Sequence, residues 1–503
     1  MQTVNAVRSR WGLGLMLILG TGLSACGSDE PQRVLNSERL ASSTAAGLGI
    51  QVSPATTPVF DAAVHDYVID CTTSPDVKLS VALPQSIGFE FLGTSGTSSG
   101  LQVHDSVQFS QSMTLAPGQG LRFAIAGHDS YSIRCLPPDF PPLTTTVSGT
   151  PQAQWYLFTP NLGNTAAPYV AIVDSHGTPV WWYREAVGQG SDAKLIGDKN
   201  IAWAAQDSAG NGQYVVRDFA GQVAFVLTGS LDGHDLQPTA NGTFLAIRYV
   251  QRVCPPDCAD MSQWGGSAQQ AVIDAEILEL DKDSKVVWSW KTRDHIDLSE
   301  TGGAGWFPDV GADIIHMNAL QPDGADGLFF SARHLNAIYR ITKSTGAIDW
   351  KLGGTQRPES LTVLGDTRPT AQGVTLFSGQ HDVRKWADGT VSVHDNGSGY
   401  RSPAILRFRI DTTNRTAEVL ELVQDARVTA SACCGSARRL DGGHWLVQWG
   451  ASPFATELDS SGNPVLTIQY NLGAVFSYRA IPIQAGILPV SRLRNGMDTL
   501  SRK

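Results

Sequence analysis

From residue 150 onward this chain repeats one pattern: an apolar strand runs into an Asp-x-x-Gly-like turn, and the strand that leaves it often reaches a tryptophan. The copies are Val173-Asp174 to Gly177 and Trp181, Arg217-Asp218 to Gly221, Leu280-Asp281 to Lys285 and Trp288, Ile341-Thr342 to Gly346 and Trp350, Ile410-Asp411 to Thr416, and Leu458-Asp459 to Gly462. Each of the last five follows another strand pair that turns at Asp198-Lys199-Asn200, Asn241-Gly242, Asp326-Gly327, Asp388-Gly389 or Asp441-Gly442. For the first, Trp155 to Phe158 supplies the equivalent strand. A unit of four short strands cannot bury both its faces alone and has to stack on its neighbours. The pattern therefore predicts an all-β chain with a six-bladed β-propeller over 151–503, and residues 251–272 and 291–312 read as inserted loops. A parallel β-helix is the structural alternative, but its repeats are much shorter.

The earlier residues read as an address, a tether and a small domain. Arg8 and Arg10 precede the apolar run from Trp11 to Gly22, and Leu23-Ser24-Ala25-Cys26 follows. That is the pattern of a bacterial lipoprotein signal peptide over 1–25, with Cys26 as the acylated residue; the run is too short for a permanent membrane span. Gly27 rather than Asp after Cys26 is similar to Gram-negative lipoproteins sorted to the outer membrane, so the expectation is a periplasmic or cell-surface protein anchored there by lipid. Residues 26–48 read as a flexible Ser/Ala/Gly-rich tether, and 49–137 as an antiparallel β-sandwich with a spacer role. Residues 138–150 begin with a Pro-rich linker. A formal net charge of -10 with no Lys/Arg-rich run argues against a nucleic-acid partner.

With Cys26 set apart, six cysteines remain: Cys71, Cys135, Cys254, Cys258, Cys433 and Cys434. In a compartment that permits disulfides these are bridge candidates. Cys71 and Cys135 end two similar strands, Cys254 and Cys258 flank Pro255-Pro256-Asp257, and Cys433-Cys434 are adjacent. Zinc competes for such a set, but no paired Cys-x-x-Cys or Cys/His ligand spacing is present.

The repeats also bring histidines into register. Counting back eight positions from the turn glycine gives His234 from Gly242, His316 from Gly324 and His381 from Gly389, and the same count from Gly442 gives Cys434. Equal offsets in a rotational repeat place side chains at comparable depth round one axis, so three imidazoles converge on a channel mouth; structural histidines at strand starts are the plainer reading. With Asn318 and Arg333 nearby, the set offers a nucleophile and several donors, which suits transfer of a small multi-oxygen anion. Three histidines alone are also a ligand set for a metal.

The segment from Asp313 to Gly354 carries His316-x-Asn318, Ser331-Ala332-Arg333-His334 and Thr345-Gly346 followed by Trp350-x-Leu352-Gly353-Gly354. Together with Gln380-His381-Asp382, Asp395-Asn396-Gly397 and Gly435-Ser436 leading to Arg439-Leu440-Asp441-Gly442, it closely resembles the bacterial arylsulfate sulfotransferase family over roughly 150–480. The resemblance implies a six-bladed propeller behind a β-sandwich, acting in the periplasm without a nucleotide sulfate donor, a metal or another cofactor. It matches His381 to the transiently sulfated histidine, and His234, His316, Asn318 and Arg333 to residues that bind the sulfuryl oxygens and assist the leaving group. The implied reaction is ping-pong transfer from a phenolic sulfate ester to a phenol; a homodimer is left open. Cys433-Cys434 is not part of the family motif. Two rivals stand beside it: a quinoprotein (PQQ) dehydrogenase, in which a vicinal disulfide lies beside the quinone, and a non-catalytic surface-binding propeller lipoprotein.

Overall fold

The computed structural model describes residues 43–45, 49–72, 74–83, 88–95, 102–104, 108–125, 130–162, 168–185, 190–258, 260–264, 266–267, 269–301, 312–368, 376–471 and 475–502. The residues read as a signal peptide and Cys26 lie outside them, as does most of the stretch read as a tether. The chain divides into two compact units, 1–136 with 208–211, and 137–207 with 212–503.

The first unit holds two sheets. One orders Ser43–Ala45, Ile50–Ser53, Asp76–Ala82 and Gln108–Thr114. Its first strand falls inside the stretch read as tether: Ala45 pairs with Ile50 and Ser43 with Val52, antiparallel. The other sheet contains Asp66–Asp70, Tyr131–Leu136, Gly120–Ile125, Phe89–Thr94 and Gln102–His104. Asp66–Asp70 runs parallel to Tyr131–Leu136, so this unit is not wholly antiparallel as expected. Ile50, Val52, Val77 and Leu79 from one sheet and Phe91, Leu121, Phe123 and Ile133 from the other form one buried core, in keeping with period-two alternation. Cys71 and Cys135, themselves buried members of this core, are joined.

Among the described residues, the second unit contains six sheets of four or five strands. Met317–Asp323, Gly327–Ala332, Ala337–Thr342 and Ile348–Gly353 form one of them, an antiparallel meander in chain order. Two sheets draw on distant segments. Phe476–Gln484 pairs with Ala153–Leu162, and Leu143–Val147 pairs with Pro464–Tyr470. The first strands of the six sheets touch in succession: Ser191–Ile196 reaches Leu236–Pro238 through Lys194, whose Nζ donates to Leu236 O at 2.7 Å. Contacts then run on to Met317–Asp323, His381–Lys385, Ser436–Arg439 and Phe476–Gln484, and back to Ser191–Ile196. Side chains interleave between consecutive sheets, as where Ile247 and Ile277 meet Leu320, Leu328 and Phe330. Each such side chain, fully buried, contributes roughly 1.5–3 kcal/mol of transfer free energy.

The repeated turn has a simple cause. Asp174 accepts from the backbone N–H groups of His176 and Thr178, both at 2.8 Å, and Gly177 takes the left-handed φ of 79° that closes the bend. Asp281 and Asp459 accept from backbone N–H groups of their own turns in the same way. Some of the tryptophans that follow pin one sheet to the next: Trp181 Nε1 donates to Phe219 O and Trp290 Nε1 to Gly346 O, each at 2.9 Å.

Two expectations fail locally. Residues 251–254 and 270–272 are not loop; they prolong Phe244–Cys254 and Gln270–Leu280 into a long two-stranded ribbon, where Arg248 faces Glu276. The cross-strand ion pairs Arg248–Glu276 and Arg252–Asp274 support strands whose composition lacks an apolar signal. Cys254 and Cys258 are joined at the tip. The second exception is an α-helix, Val490–Leu500, which buries Leu493 and Met497 and contacts Pro179–Arg184.

Candidate active site

All five residues singled out in the second unit lie at the starts of the first strands or in the turn just after a second strand. His381 opens His381–Lys385 and Asn318 is the second residue of Met317–Asp323; His316 immediately precedes that strand, and Arg333 follows Gly327–Ala332 in a single 3-10 turn. The backbone at these mouths is unusual. His316, Asp382 and Cys434 adopt left-handed φ values of 48°, 59° and 65°, and the ladder slips beside the first two. Bulges of this kind re-aim side chains, and left-handed φ at non-glycine residues costs roughly 1–3 kcal/mol each.

His381 is buried, 1% exposed. Its Nδ1 lies 2.7 Å from Asn396 Oδ1 and 2.9 Å from Gly379 O, both acceptors, so the proton resides on Nδ1 and Nε2 carries the lone pair. Nε2 receives the Cys434 backbone N–H at 3.2 Å. Burial first, then the nearby Arg333 guanidinium, pushes the imidazole well below the ordinary histidine range, so it is neutral near pH 7.

His234 and His316 face each other edge-on with ring centroids 4.9 Å apart. Each is turned by a carboxylate: His234 Nδ1 lies 2.5 Å from Asp232 Oδ1, and His316 Nδ1 lies 2.5 Å from Asp313 Oδ2. Burial raises Asp313, but His316 and His334 outweigh it and bring the carboxyl to about 2. Burial lowers His316 in spite of that carboxylate. His334 stacks on His316 at 4.5 Å, and Arg333 Nη1 donates to His334 Nε2 at 2.6 Å. Arg333 Nη2 donates to Ala432 O at 2.9 Å, which brings the guanidinium beside the His381 mouth. Asn318 is fully buried; its Nδ2 donates to Gln380 O at 2.7 Å, so one amide hydrogen already holds the residue before His381.

Sequence reasoning missed the orienting groups. Asp232 and Asp313 are two and three residues from their histidines, a spacing that was available as a signal. Asn396 lies in the Asp395-Asn396-Gly397 motif, whose sequence alone assigns it no role. Tyr249 and Tyr478 carried no signal; their rings lie 6.1 Å from His316 and 5.5 Å from His234. Behind the histidines runs a buried charge network from several first strands: Asp192, Lys194, Asp235, Asp382, Arg384, Arg438 and Arg479. Burial pushes Asp382 up, but Arg384, Arg438 and Arg479 outweigh it and keep it ionised. Burial and Arg384 bring Arg438 down to about 10. Arg479 Nη2 also donates to Asn318 O at 2.9 Å, tying this network to the site.

The third cysteine pair, Cys433–Cys434, is joined. Asp313, His316 and His334 also place ligand atoms within 4.8 Å of one another, the geometry of a cation site. The Nδ1 atoms of both histidines are already engaged with Asp313 and His334 Nε2 accepts from Arg333 Nη1, which leaves Nε2 of His316 to face a ligand.

No curated protein matches the chain. Among solved structures, a protein of unknown function from Bacteroides caccae aligns at 11% identity and a TM-score of 0.40, covering 66% of this chain and 99% of its own. The WD40 β-propeller domain of Doa1 aligns at 10% and 0.34, covering 79% and 90%, and an inactive variant of virginiamycin B lyase from Staphylococcus aureus at 11% and 0.35, covering 67% and 91%. The profile of the arylsulfotransferase (ASST) family matches residues 194–471, more than half of the sequence, and takes in His234, His316, Asn318, Arg333 and His381: the chain belongs to the arylsulfotransferase family.

Proposed function

We propose that the chain transfers a sulfuryl group from a phenolic sulfate ester to a phenol through a sulfated His381, by a ping-pong mechanism with no nucleotide donor. On this reading the second unit is a six-bladed propeller, the first a β-sandwich spacer, and the site occupies the propeller mouth. The observation that carries the reading is the fixed tautomer of His381. With Nδ1–H held by Asn396 and Gly379, Nε2 is a neutral, desolvated nucleophile close to the Arg333 guanidinium.

In the first half-reaction Nε2 attacks sulfur in line. The Nε2–S bond forms as the S–O bond to the aryl group breaks. Arg333 and the second amide hydrogen of Asn318 offset charge on the sulfuryl oxygens, and His234 or His316, entering the step in the protonated form that its carboxylate favours, gives its Nε2 proton to the departing phenolate and is left neutral. Such acid assistance is worth roughly 10²- to 10⁴-fold. In the second half-reaction the phenol oxygen takes sulfur from Nε2 while the same histidine removes its proton. Family membership favours this reading over a quinoprotein dehydrogenase or a non-catalytic propeller. We further propose that Cys26 is lipidated and holds the enzyme at the outer membrane, facing periplasm or cell surface.

Enzyme mixed with a chromogenic aryl sulfate and no acceptor should release a burst of phenol stoichiometric with protein. The trapped group should be alkali-stable, acid-labile and carried by the peptide containing Gln380-His381-Asp382, and His381→Asn should lose burst and turnover together. A label on His234 or His316, or full turnover in His381→Asn, would falsify the assignment.

A further inference from the structure

The mechanism above gives the joined Cys433–Cys434 pair no part, yet the backbone of residues 432–434 touches three of the groups that mechanism uses. Ala432 O accepts from Arg333 Nη2 at 2.9 Å. The Cys434 N–H donates to His381 Nε2 at 3.2 Å. Cys434 O accepts from Asn396 Nδ2 at 2.9 Å, and the Oδ1 of that same amide takes the Nδ1 proton of His381 at 2.7 Å. Ser431 Oγ accepts from Asn396 Nδ2 at 2.6 Å. Residues 431–434 thus hold the partners of both ring nitrogens and one arm of the guanidinium.

A bond between adjacent cysteines closes a small ring that includes their shared peptide, so that peptide loses most of its freedom to rotate. Cys434 stands at a φ of 65°, a conformation a free cysteine leaves readily. Its side chain packs with Phe476 and Tyr478, with Cys433 and Ala451 against them, while Cys433 stays half-buried and within reach of small reductants.

The amide on Nε2 poses a chemical question, since a lone pair that accepts a hydrogen bond cannot at the same moment attack sulfur. The long 3.2 Å contact is easily exchanged. Once sulfur is on Nε2, the same N–H lies beside the oxygens of the transferred group.

We propose that the Cys433–Cys434 disulfide is a positioning device for sulfuryl transfer. It locks residues 432–434 so that the Cys434 amide caps Nε2 between turnovers and donates to a sulfuryl oxygen in the intermediate, while Ala432 O steadies Arg333. This rests on His381 being the sulfated residue. Reduction undoes the lock: two electrons and two protons convert the Sγ–Sγ bond into two thiols. With a water-soluble phosphine as the electron source, phosphorus is oxidised to phosphine oxide and takes its oxygen from water.

The test uses the full chain in three forms: wild type, Cys433→Ser/Cys434→Ser, and Cys254→Ser/Cys258→Ser as a control for reduction elsewhere. The burst rate constant on an aryl sulfate should fall about tenfold or more in the Cys433/Cys434 variant, the scale of losing a preorganised donor, with the donor concentration at half-saturation little changed. Phosphine should reproduce the fall in wild type and in the control, cause no further fall in the Cys433/Cys434 variant, and be reversed by reoxidation. A readout independent of activity is the imidazole ¹⁵N spectrum, in which the His381 Nε2 resonance should move on reduction of wild type and sit at the moved position in the variant. A variant with the wild-type burst rate constant, or an Nε2 resonance that reduction leaves in place, overturns the proposal. If no aryl sulfate gives a burst with oxidised wild type, the sulfohistidine reading fails, and the ¹⁵N shift still decides whether the disulfide sets the hydrogen bond on Nε2.

Discussion

Asn396 directs both its donors into the 431–434 segment and its oxygen at His381, so one side chain ties the tautomer of the ring to the backbone beside it. Its truncation removes the nearer of the two acceptors that hold the proton on Nδ1 but deletes no side chain assigned to the sulfuryl oxygens. Asn396→Ala should therefore lower kcat roughly 10- to 100-fold, the range seen when partners that orient a functional imidazole are lost, with KM little changed. Steady-state kinetics on an aryl sulfate check this, and an unaltered kcat would remove Asn396 from the mechanism. The eight-residue register in the sequence found His234, His316 and His381 because strand repeats carry position along the chain. It could not find Asn396, which reaches His381 from fifteen residues away, just after the end of the neighbouring strand Val391–Asp395. Nor could it show which nitrogen of each ring bears a proton, since that depends on contacts rather than spacing.

Short backbone segments at the strand mouths do as much as side chains. Gly435, next to the joined cysteines, has a φ of 106°, and a Cβ there would come within 2.7 Å of His394 Cε1 and 2.8 Å of Gln448 O. Gly435→Ala should destabilise the protein by about 1–3 kcal/mol through strain and overpacking, read as a lowered urea midpoint at unchanged slope. A midpoint equal to wild type would show that the segment yields freely. At this scale the sequence is readable where turn chemistry is strong, as at Asp174 and Asp459, whose carboxylates build the bend themselves. It is misleading at the ribbon through Arg252 and Asp274, where ion pairs replace apolar alternation and Pro255-Pro256 suggests a break.

Across the molecule, burial keeps several imidazoles neutral. His394 is brought down to about 4, and His316, His334 and His381 are held below the ordinary value as well. The unfolded chain therefore binds more protons than the folded one between about pH 6.5 and 4, and stability falls as pH drops through that window, by up to about 1.4 kcal/mol per pH unit for each such histidine. Asp313, at about 2, holds its contribution until lower pH. Urea midpoints from pH 7 to 4.5 should decline steadily, and a flat profile would mean that the buried imidazoles are protonated in the folded state. Anchoring also belongs to the whole molecule: Cys26→Ser should abolish incorporation of labelled fatty acid and leave aryl sulfate turnover intact, and label retained on that variant would end the lipoprotein proposal.

The pairing of Phe476–Gln484 with Ala153–Leu162 bears on when the enzyme comes into being. Ser477 and Thr159, bonded through the Ser477 hydroxyl, are 318 residues apart, and the same late strand delivers Tyr478 and Arg479 to the site. During synthesis the histidines emerge long before the strand that completes their surroundings. Catalysis therefore waits on a strand made more than ninety residues after His381, and a polypeptide that has not yet folded carries no active site to protect or restrain.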